Sequence, residues 1–265
     1  MKLRATGYMV KSERLPKEFN GFKVAVLSDL HDTVYGSNNI ELFRRIESEK
    51  PDIVLVAGDL ITGLADRKFD AAINLLKMLS EKYVVYYGLG NHEVRSHDNT
   101  REYVKAIKNI PNIQVLDNSL IKLERINNGC TASITIAGLT LEKSHYSRRN
   151  RRAVMEEAFI QDKLGIKTDD FTILLAHHPD YFEHYVSWGA DLIFSGHLHG
   201  GLVRLPLIGG VLSPQIKLFP KYDKGEFKKN LSTMIVSAGH GTHSVPRIFN
   251  PPELLVVELF AIEKS

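Results

Sequence analysis

The sequence predicts an α/β fold, and three observations predict it. Short apolar runs alternate with helix-period segments over roughly the first 110 residues, the pattern of parallel strands joined through helices. Hydrophobic residues make up 43% of 265, enough to bury a sizeable core in one large domain or two. Aspartate, asparagine and histidine recur directly after the apolar runs, and α/β folds place their sites beyond the carboxyl ends of strands.

Residues 1–20 read as a strand or extended lead-in that turns at Asn20-Gly21. The run 22–27 is of strand type and delivers Asp29 and His31. The helical spacing of Ile40, Phe43 and Ile46 continues to Lys50, and Pro51 stops it. A second strand, 52–57, delivers Asp59. A helix over 69–81, with Ile73, Leu76 and Leu79 on one face, leads to a third strand, 83–87, which delivers Asn91, His92 and Glu93. A helix over 100–109 ends before Pro111. Residues 113–116, 120–126 and 133–136 read as short strands of an antiparallel meander. A helix over 150–164 follows, then a strand, 172–176, that delivers His177 and His178. A short helix, 181–188, precedes the strand 191–195 and its two histidines, His197 and His199, set among Gly196, Gly200 and Gly201. The tail holds the short run 202–205, a Gly/Pro-rich apolar loop to Phe219, and two strands, 233–237 and 254–259.

The formal charge is +3, which carries no strong nucleic-acid signal. The segment 143–152 holds five cations in ten residues, ordinarily a solvated face and otherwise a means of steering an anion inward. The single cysteine, Cys130, permits no intrachain disulfide and reads as inert beside a glycine turn. No stretch approaches ~20 uninterrupted apolar residues, and the first ten lack the apolar core of a signal peptide. A cytoplasmic location is therefore expected. His97, His145 and His184 read as surface or loop residues, and His240 and His243 as late-loop residues beside glycines, with lining of the pocket as the alternative and no metal role. Asp32 reads as a neighbour of a ligand or as solvent-facing.

The residues after the strands form a set: Asp29, His31, Asp59, Asn91, His177, His197 and His199. They are oxygen and imidazole donors without a thiolate, which suits Mn, Fe, Zn or Co. Seven ligands exceed one tetrahedral ion. Shared between two ions with one bridging carboxylate, they make a dinuclear site. No G-x-S-x-G nucleophile motif and no H-E-x-x-H are present.

In order, the blocks read Asp29-Leu30-His31, Gly58-Asp59, Gly90-Asn91-His92-Glu93, His177 and Gly196-His197-Leu198-His199. This series, over residues 22–200, resembles the calcineurin-like metallophosphoesterase superfamily. The resemblance implies a four-layer α-β-β-α sandwich of two mixed sheets. It implies a single domain over 1–265, with the C-terminal strands of 231–260 completing the second sheet. It implies two divalent ions, with Asp29, His31 and His199 on the first, Asn91, His177 and His197 on the second, and Asp59 on both. His92 would serve the leaving oxygen rather than a metal. A hydroxide bridging the ions would attack the phosphorus in line.

Leu15-Pro16, Gly21-Phe22-Lys23, Phe219-Pro220-Lys221-Tyr222 and Asn250-Pro251-Pro252-Glu253 further resemble the bacterial branch with YkuE- and YaeI-type phosphodiesterases. Some relatives of that branch hydrolyse the pyrophosphate of UDP-diacylglucosamine. The implied function is a phosphodiesterase or pyrophosphatase on a small or lipid-linked phosphoester, with peripheral membrane contact. The apolar stretch 202–219 is either a buried loop beside the site or a lip for a lipid-like substrate. Arg204, Arg247 and His178 are candidates for contacting substrate, the arginines because guanidinium matches phosphate geometry. Competing readings are a phosphomonoesterase or protein phosphatase, a nuclease or cyclic-nucleotide phosphodiesterase, and a non-catalytic scaffold. The oligomeric state is not encoded in any feature we recognise.

Overall fold

A strand covered on both faces has to be apolar along its whole length, and the continuous runs of this sequence build such strands. The computed structural model describes residues 3–263 except 65–67, 96, 128, 148–153, 202, 206–208, 214–217 and 242–246. Its elements begin with β1 (Arg4–Ser12), β2 (Phe22–Leu27), α1 (Ile40–Glu49), β3 (Ile53–Ala57), α2 (Asp70–Ser80), β4 (Val85–Gly88), α3 (Asp98–Lys108) and β5 (Ile113–Leu116). They continue with β6 (Ser119–Asn127), β7 (Cys130–Leu139), α4 (Phe159–Leu164), β8 (Thr172–Ala176), α5 (Phe182–Trp188) and β9 (Leu192–Ser195). The chain ends with β10 (Val203–Leu205), β11 (Gly209–Leu212), β12 (Gly225–Lys229), β13 (Ser232–Val236) and β14 (Glu253–Ala261).

Two six-stranded mixed sheets result, in the orders β1-β14-β2-β3-β4-β5 and β12-β13-β9-β8-β7-β6. Successive side chains on a strand point to opposite faces. Leu55 of β3 therefore enters the core between the sheets with Val26, Ile173, Phe194 and Ile235. Val54 and Val56 turn the other way, onto Leu42, Ile46, Leu76 and Tyr103 of α1 to α3. Leu174 and Ile193 meet Ile160 and Tyr185 of α4 and α5. The layers are helix, sheet, sheet, helix, as the resemblance implies. Each fully buried Leu, Ile or Val contributes about 1.5–3 kcal/mol relative to exposure.

The structure corrects four readings. The expected meander is divided: β5 pairs parallel with β4 in the first sheet, whereas β6 and β7 form an antiparallel hairpin in the second. The C-terminal strands do not both complete the second sheet. β13 joins it beside β9, but β14 enters the first, parallel to β1 and antiparallel to β2. Leu255 and Val257 of β14 face the inter-sheet core, and Leu254 and Val256 face the helical side, so the strand needs an interior place. The helix expected over 150–164 spans only Phe159–Leu164 among the described residues. Val154 is 88% exposed and offers no apolar face to dock. His145 is buried, its ring 4.9 Å from Phe159 and 5.5 Å from Tyr181, because a 3-10 turn over Lys143–Tyr146 folds it under α4. Part of the basic segment, 148–152, lies outside the described residues, as does His243.

Candidate metal centre

The carboxyl ends of β2, β3, β4, β8 and β9 open onto one place, and each carries one or more of the expected residues. Backbone hydrogen bonds tie the loop after β2 to the loop after β3, and the loop after β8 to the start of the loop after β9. Asp29 N donates to Gly58 O at 3.0 Å, His31 N to Asp59 O at 3.2 Å, and Gly196 N to His177 O at 3.0 Å. Asp29, His31, Asp59, His197 and His199 all take positive φ, between 47° and 69°. Non-glycine residues in that region carry strain, and Asp and His tolerate it better than most. At this edge the strain falls on residues whose side chains are aimed inward. Glycine is required where backbone meets carboxylate: a Cβ on Gly90 would collide with Asp59 Oδ1, and one on Gly196 with Asp29 Oδ2.

Three donor groups converge: Asp29 with His31 and His199; Asp59 with His177 and His197; and His31 with Asp59 and His92. Within each, the ligand-type atoms lie within 4.8 Å of one another. His31 Nε2 is 3.1 Å from His199 Nε2. Asp29 Oδ1 stands 3.7 Å from His31 Nε2, 3.5 Å from His199 Nε2 and 3.7 Å from His177 Nε2. Asp59 Oδ2 stands 2.9 Å from His177 Nε2 and 3.7 Å from His92 Nε2. Asn91 occupies the turn between Gly90 and His92, and its Oδ1 is buried without a hydrogen-bond partner among the described residues.

Charge at the site is concentrated and buried. Burial would raise the carboxyl of Asp29, but His199, His177 and His31 outweigh it and hold it well below the usual range. Asp59 is held low in the same way by His177 and His92. Burial acts against a proton on His177, yet Asp59 and Asp29 together push it up to about 10. His197 and His199 are driven down, chiefly by burial. Two buried carboxylates thus hold a proton on an imidazole where a cation would replace it. Converging carboxylates and imidazoles, with an unpartnered amide oxygen, fit divalent transition metals.

Supporting residues appear that the motif reading did not assign. Glu93 is buried at 3% exposure. Its Oε2 accepts from Asp59 N at 2.9 Å and Gly90 N at 3.0 Å, and its Oε1 from Leu60 N and the Tyr87 hydroxyl, both at 2.9 Å. It staples the β3 and β4 loops. Burial, then the charge of Asp59, raises its carboxyl to about 7. His92 Nδ1 is bonded to the Thr62 carbonyl, which only accepts, so Nδ1 carries the proton and Nε2 faces the site. The Arg95 guanidinium approaches that Nε2 at 3.3 Å and donates to Thr62 O at 2.9 Å. Burial lowers His92 to about 4. Asp32 accepts from Thr62 N at 3.1 Å, which fixes the same loop.

The expected substrate residues are placed as follows. His178 is fully buried, 4.5 Å from the His197 ring, and its Nδ1 accepts from Asp180 N at 3.3 Å. Arg247 is buried behind His199, with Nη2 3.4 Å from His199 Nδ1 and Nη1 donating to Ala238 O at 2.5 Å. Arg204 donates to Asp223 Oδ2 at 2.7 Å and to Gly200 O at 3.2 Å. His240 is buried, with Nδ1 3.0 Å from Ser28 O. Tyr146 packs against the histidines, and burial followed by the charge of Asp59 raises its phenol well above the usual value. Only through-space neighbours identify Glu93, Arg95 and Tyr146. Its place directly after Asn91-His92 in the motif block was the one sequence signal for Glu93.

Beside this centre, β10 pairs with β11, Val203 bridges to Ile248, and Leu212 to Leu218. Leu205, Leu218, Phe219, Ile248 and Phe249 are exposed on these segments, Phe249 at 73%. A cavity of about 590 Å³ opens here, lined by Arg204, Leu205, Phe219, Lys221, Phe227 and Phe249 among others. Asn250 ties the segment to the centre, with Nδ2 bonded to the His199 carbonyl and, at 2.8 Å, to Gly201 O. Among the described residues no helix is long and apolar enough to cross a membrane.

Comparisons with known proteins identify relatives of the chain. The chain is 26% identical over 261 residues to the metallophosphoesterase YkuE of Bacillus subtilis, covering 97% of this chain and 85% of that protein. It is 22% identical over 290 residues to the UDP-2,3-diacylglucosamine pyrophosphatase LpxG of Chlamydia muridarum, covering 92% and 86%. The structure of TT1561 from Thermus thermophilus superposes with a TM-score of 0.50 at 12% identity, over 83% of this chain and 90% of that one, and shares the fold. The model of the calcineurin-like phosphoesterase family matches residues 22–201. All five donor-bearing strand ends lie inside that span, and the chain belongs to the calcineurin-like phosphoesterases, metal-dependent hydrolases of phosphoesters.

Proposed function

We propose that the protein is a dinuclear phosphodiesterase or pyrophosphatase. Asp29, His31 and His199 would hold one divalent ion, Asn91, His177 and His197 the other, and Asp59 both. The observation that carries this reading is the pair of donor groups, Asp29/His31/His199 and Asp59/His177/His197, linked by Asp29 Oδ1 at 3.7 Å from His177 Nε2. Two such ions, when bound, neutralise phosphoryl charge and lower the pKa of the attacking water. His92 Nε2 meets the leaving oxygen, and its orientation is set by the Thr62 carbonyl. Arg95, beside that nitrogen, offers the developing alkoxide a positive charge that needs no protonation step.

The assay compares bis-p-nitrophenyl phosphate with p-nitrophenyl phosphate, using apoprotein reconstituted with Mn²⁺. We expect metal-dependent turnover of the diester in preference to the monoester, and a drop of at least ~100-fold in Asn91→Ala, whose amide oxygen is lost. Preference for the monoester would instead make the protein a phosphomonoesterase. Absence of turnover with Mn, Fe, Zn and Co, despite two bound ions, would refute a hydrolase of simple phosphoesters.

A lipid-linked diester is the substrate form we favour. The exposed apolar residues around the 590 Å³ cavity support it, as does the diacylated substrate in the name of LpxG. Phe249→Asp and Phe219→Asp should lower kcat/KM about tenfold on a phosphodiester bearing an acyl chain, the scale of one lost aromatic contact. Turnover of bis-p-nitrophenyl phosphate should stay unchanged. Equal losses on both substrates would assign the two rings to folding rather than to the acyl chain.

A further inference from the structure

Among the described residues, Tyr146 sets its phenol ring against the metal-side histidines. Its centroid is 5.4 Å from His178 in a stacked arrangement, 5.0 Å from His197 and 6.2 Å from His177. The adjacent residue anchors the turn that carries it: His145 is wedged against Phe159 and Tyr181, and its carbonyl accepts from the Tyr181 hydroxyl at 3.2 Å. The ring therefore packs on imidazoles, and the turn that carries it is anchored. Its hydroxyl oxygen is nevertheless buried with no hydrogen-bond partner among the described residues.

A buried hydroxyl left unpaired costs about 1–3 kcal/mol, and such groups in folded proteins call for an explanation. Packing alone does not need the oxygen, since phenylalanine would fill the same space between the imidazoles. A hydroxyl whose orientation is fixed beforehand is a useful donor to an oxyanion, because nothing has to reorganise when the anion arrives. The neighbouring groups are two expected metal ligands, His177 and His197, so an anion drawn to those ligands' ion would lie beside the ring.

We propose that Tyr146 is a substrate-binding residue whose hydroxyl donates a hydrogen bond to a non-bridging oxygen of the phosphoryl group. This rests on the dinuclear reading above. It adds a neutral donor on the His197 side of the site, opposite in role to His92 and Arg95, which serve the leaving oxygen.

The test is Tyr146→Phe, which keeps the ring and removes only the hydroxyl. Three quantities are measured on the Mn²⁺-loaded protein: ions bound per chain, Kd for inorganic phosphate by calorimetry, and kcat/KM on bis-p-nitrophenyl phosphate. The metal-free Tm is a fourth. We expect Kd for phosphate to rise about tenfold, equivalent to ~1.4 kcal/mol, and kcat/KM to fall by a similar factor. Ion content should be unchanged, and Tm should be equal or higher, since an unpaired buried hydroxyl has been removed. Phosphate affinity within twofold of the wild type would overturn the proposal. So would loss of an ion, which would make Tyr146 a support for His197. Should wild-type protein bind two ions and phosphate but hydrolyse no diester, the function reading fails, and the phosphate Kd of Tyr146→Phe still decides the role of the hydroxyl.

Discussion

Asp59→Asn should lower kcat/KM on bis-p-nitrophenyl phosphate by about 10⁴-fold, or ~5.4 kcal/mol of transition-state stabilisation, and leave about one ion per chain. Asp59 is 1% exposed and belongs to two of the three donor groups. Its Oδ2 faces His177 and His92, and its Oδ1 accepts from His92 N at 2.8 Å. Asparagine retains the volume and that acceptor, so the loop keeps its shape. What disappears is the negative charge, which holds the His177 proton in the metal-free chain and would be shared by two cations in the loaded one. Elemental analysis of the purified variant, alongside its kinetics, separates the two effects. A variant with two ions and activity within tenfold of the wild type would remove Asp59 as the shared ligand.

The second large effect is expected at Glu93, which by its place in the structure touches no substrate. Glu93→Gln should lower the metal-free Tm by about 6–12 °C and weaken metal binding about 10–100-fold. The carboxylate accepts four hydrogen bonds, two on each oxygen, from three backbone N–H groups and the Tyr87 hydroxyl. An amide nitrogen in place of either oxygen faces two donors and satisfies neither. Two buried unpaired donors amount to roughly 3 kcal/mol, and for a domain of this size each kcal/mol moves Tm by about 2–4 °C. Metal affinity follows because the backbone of Asp59 itself hangs on Glu93. Calorimetric melting of apoprotein and a Mn²⁺ titration measure the two. An unchanged Tm would show that the loop is held elsewhere.

Most of the central strands that were legible in the sequence are buried on both faces. Phe22–Leu27, Ile53–Ala57 and Thr172–Ala176 lie between a helix layer and another sheet, so neither face tolerates a polar residue and the run is continuous. Strands that the sequence reading did not name lack such burial. Gly209–Leu212 opens with two glycines, and Gly225–Lys229 is an edge strand of Glu, Phe and Lys with no buried position. Sheet membership was not legible at all for Ile113–Leu116 or Glu253–Ala261. Arg4 pairs with Glu253 and Leu255 with Val26, partners more than two hundred residues apart, and local pattern contains no statement about which distant edge a strand will meet.

The same division runs through the site. Ligand-type residues could be listed from sequence because each follows its strand within a few positions, and strand direction carries them all to one edge. The alternation of apolar runs and helical segments determined the α/β class, and the types and order of these residues determined the family resemblance and the candidate donor set. Tertiary structure decided which atoms face one another: that Asp29 Oδ1 meets three imidazoles, that Arg95 rather than Arg204 lies beside His92, that Glu93 binds the loops and that Tyr146 leans on His178 and His197. The physical reason is range. Burial and strand periodicity act on neighbours along the chain and leave a local trace. A hydrogen bond or an imidazole–carboxylate contact acts over a few ångströms between loops that only the packed sheets bring together.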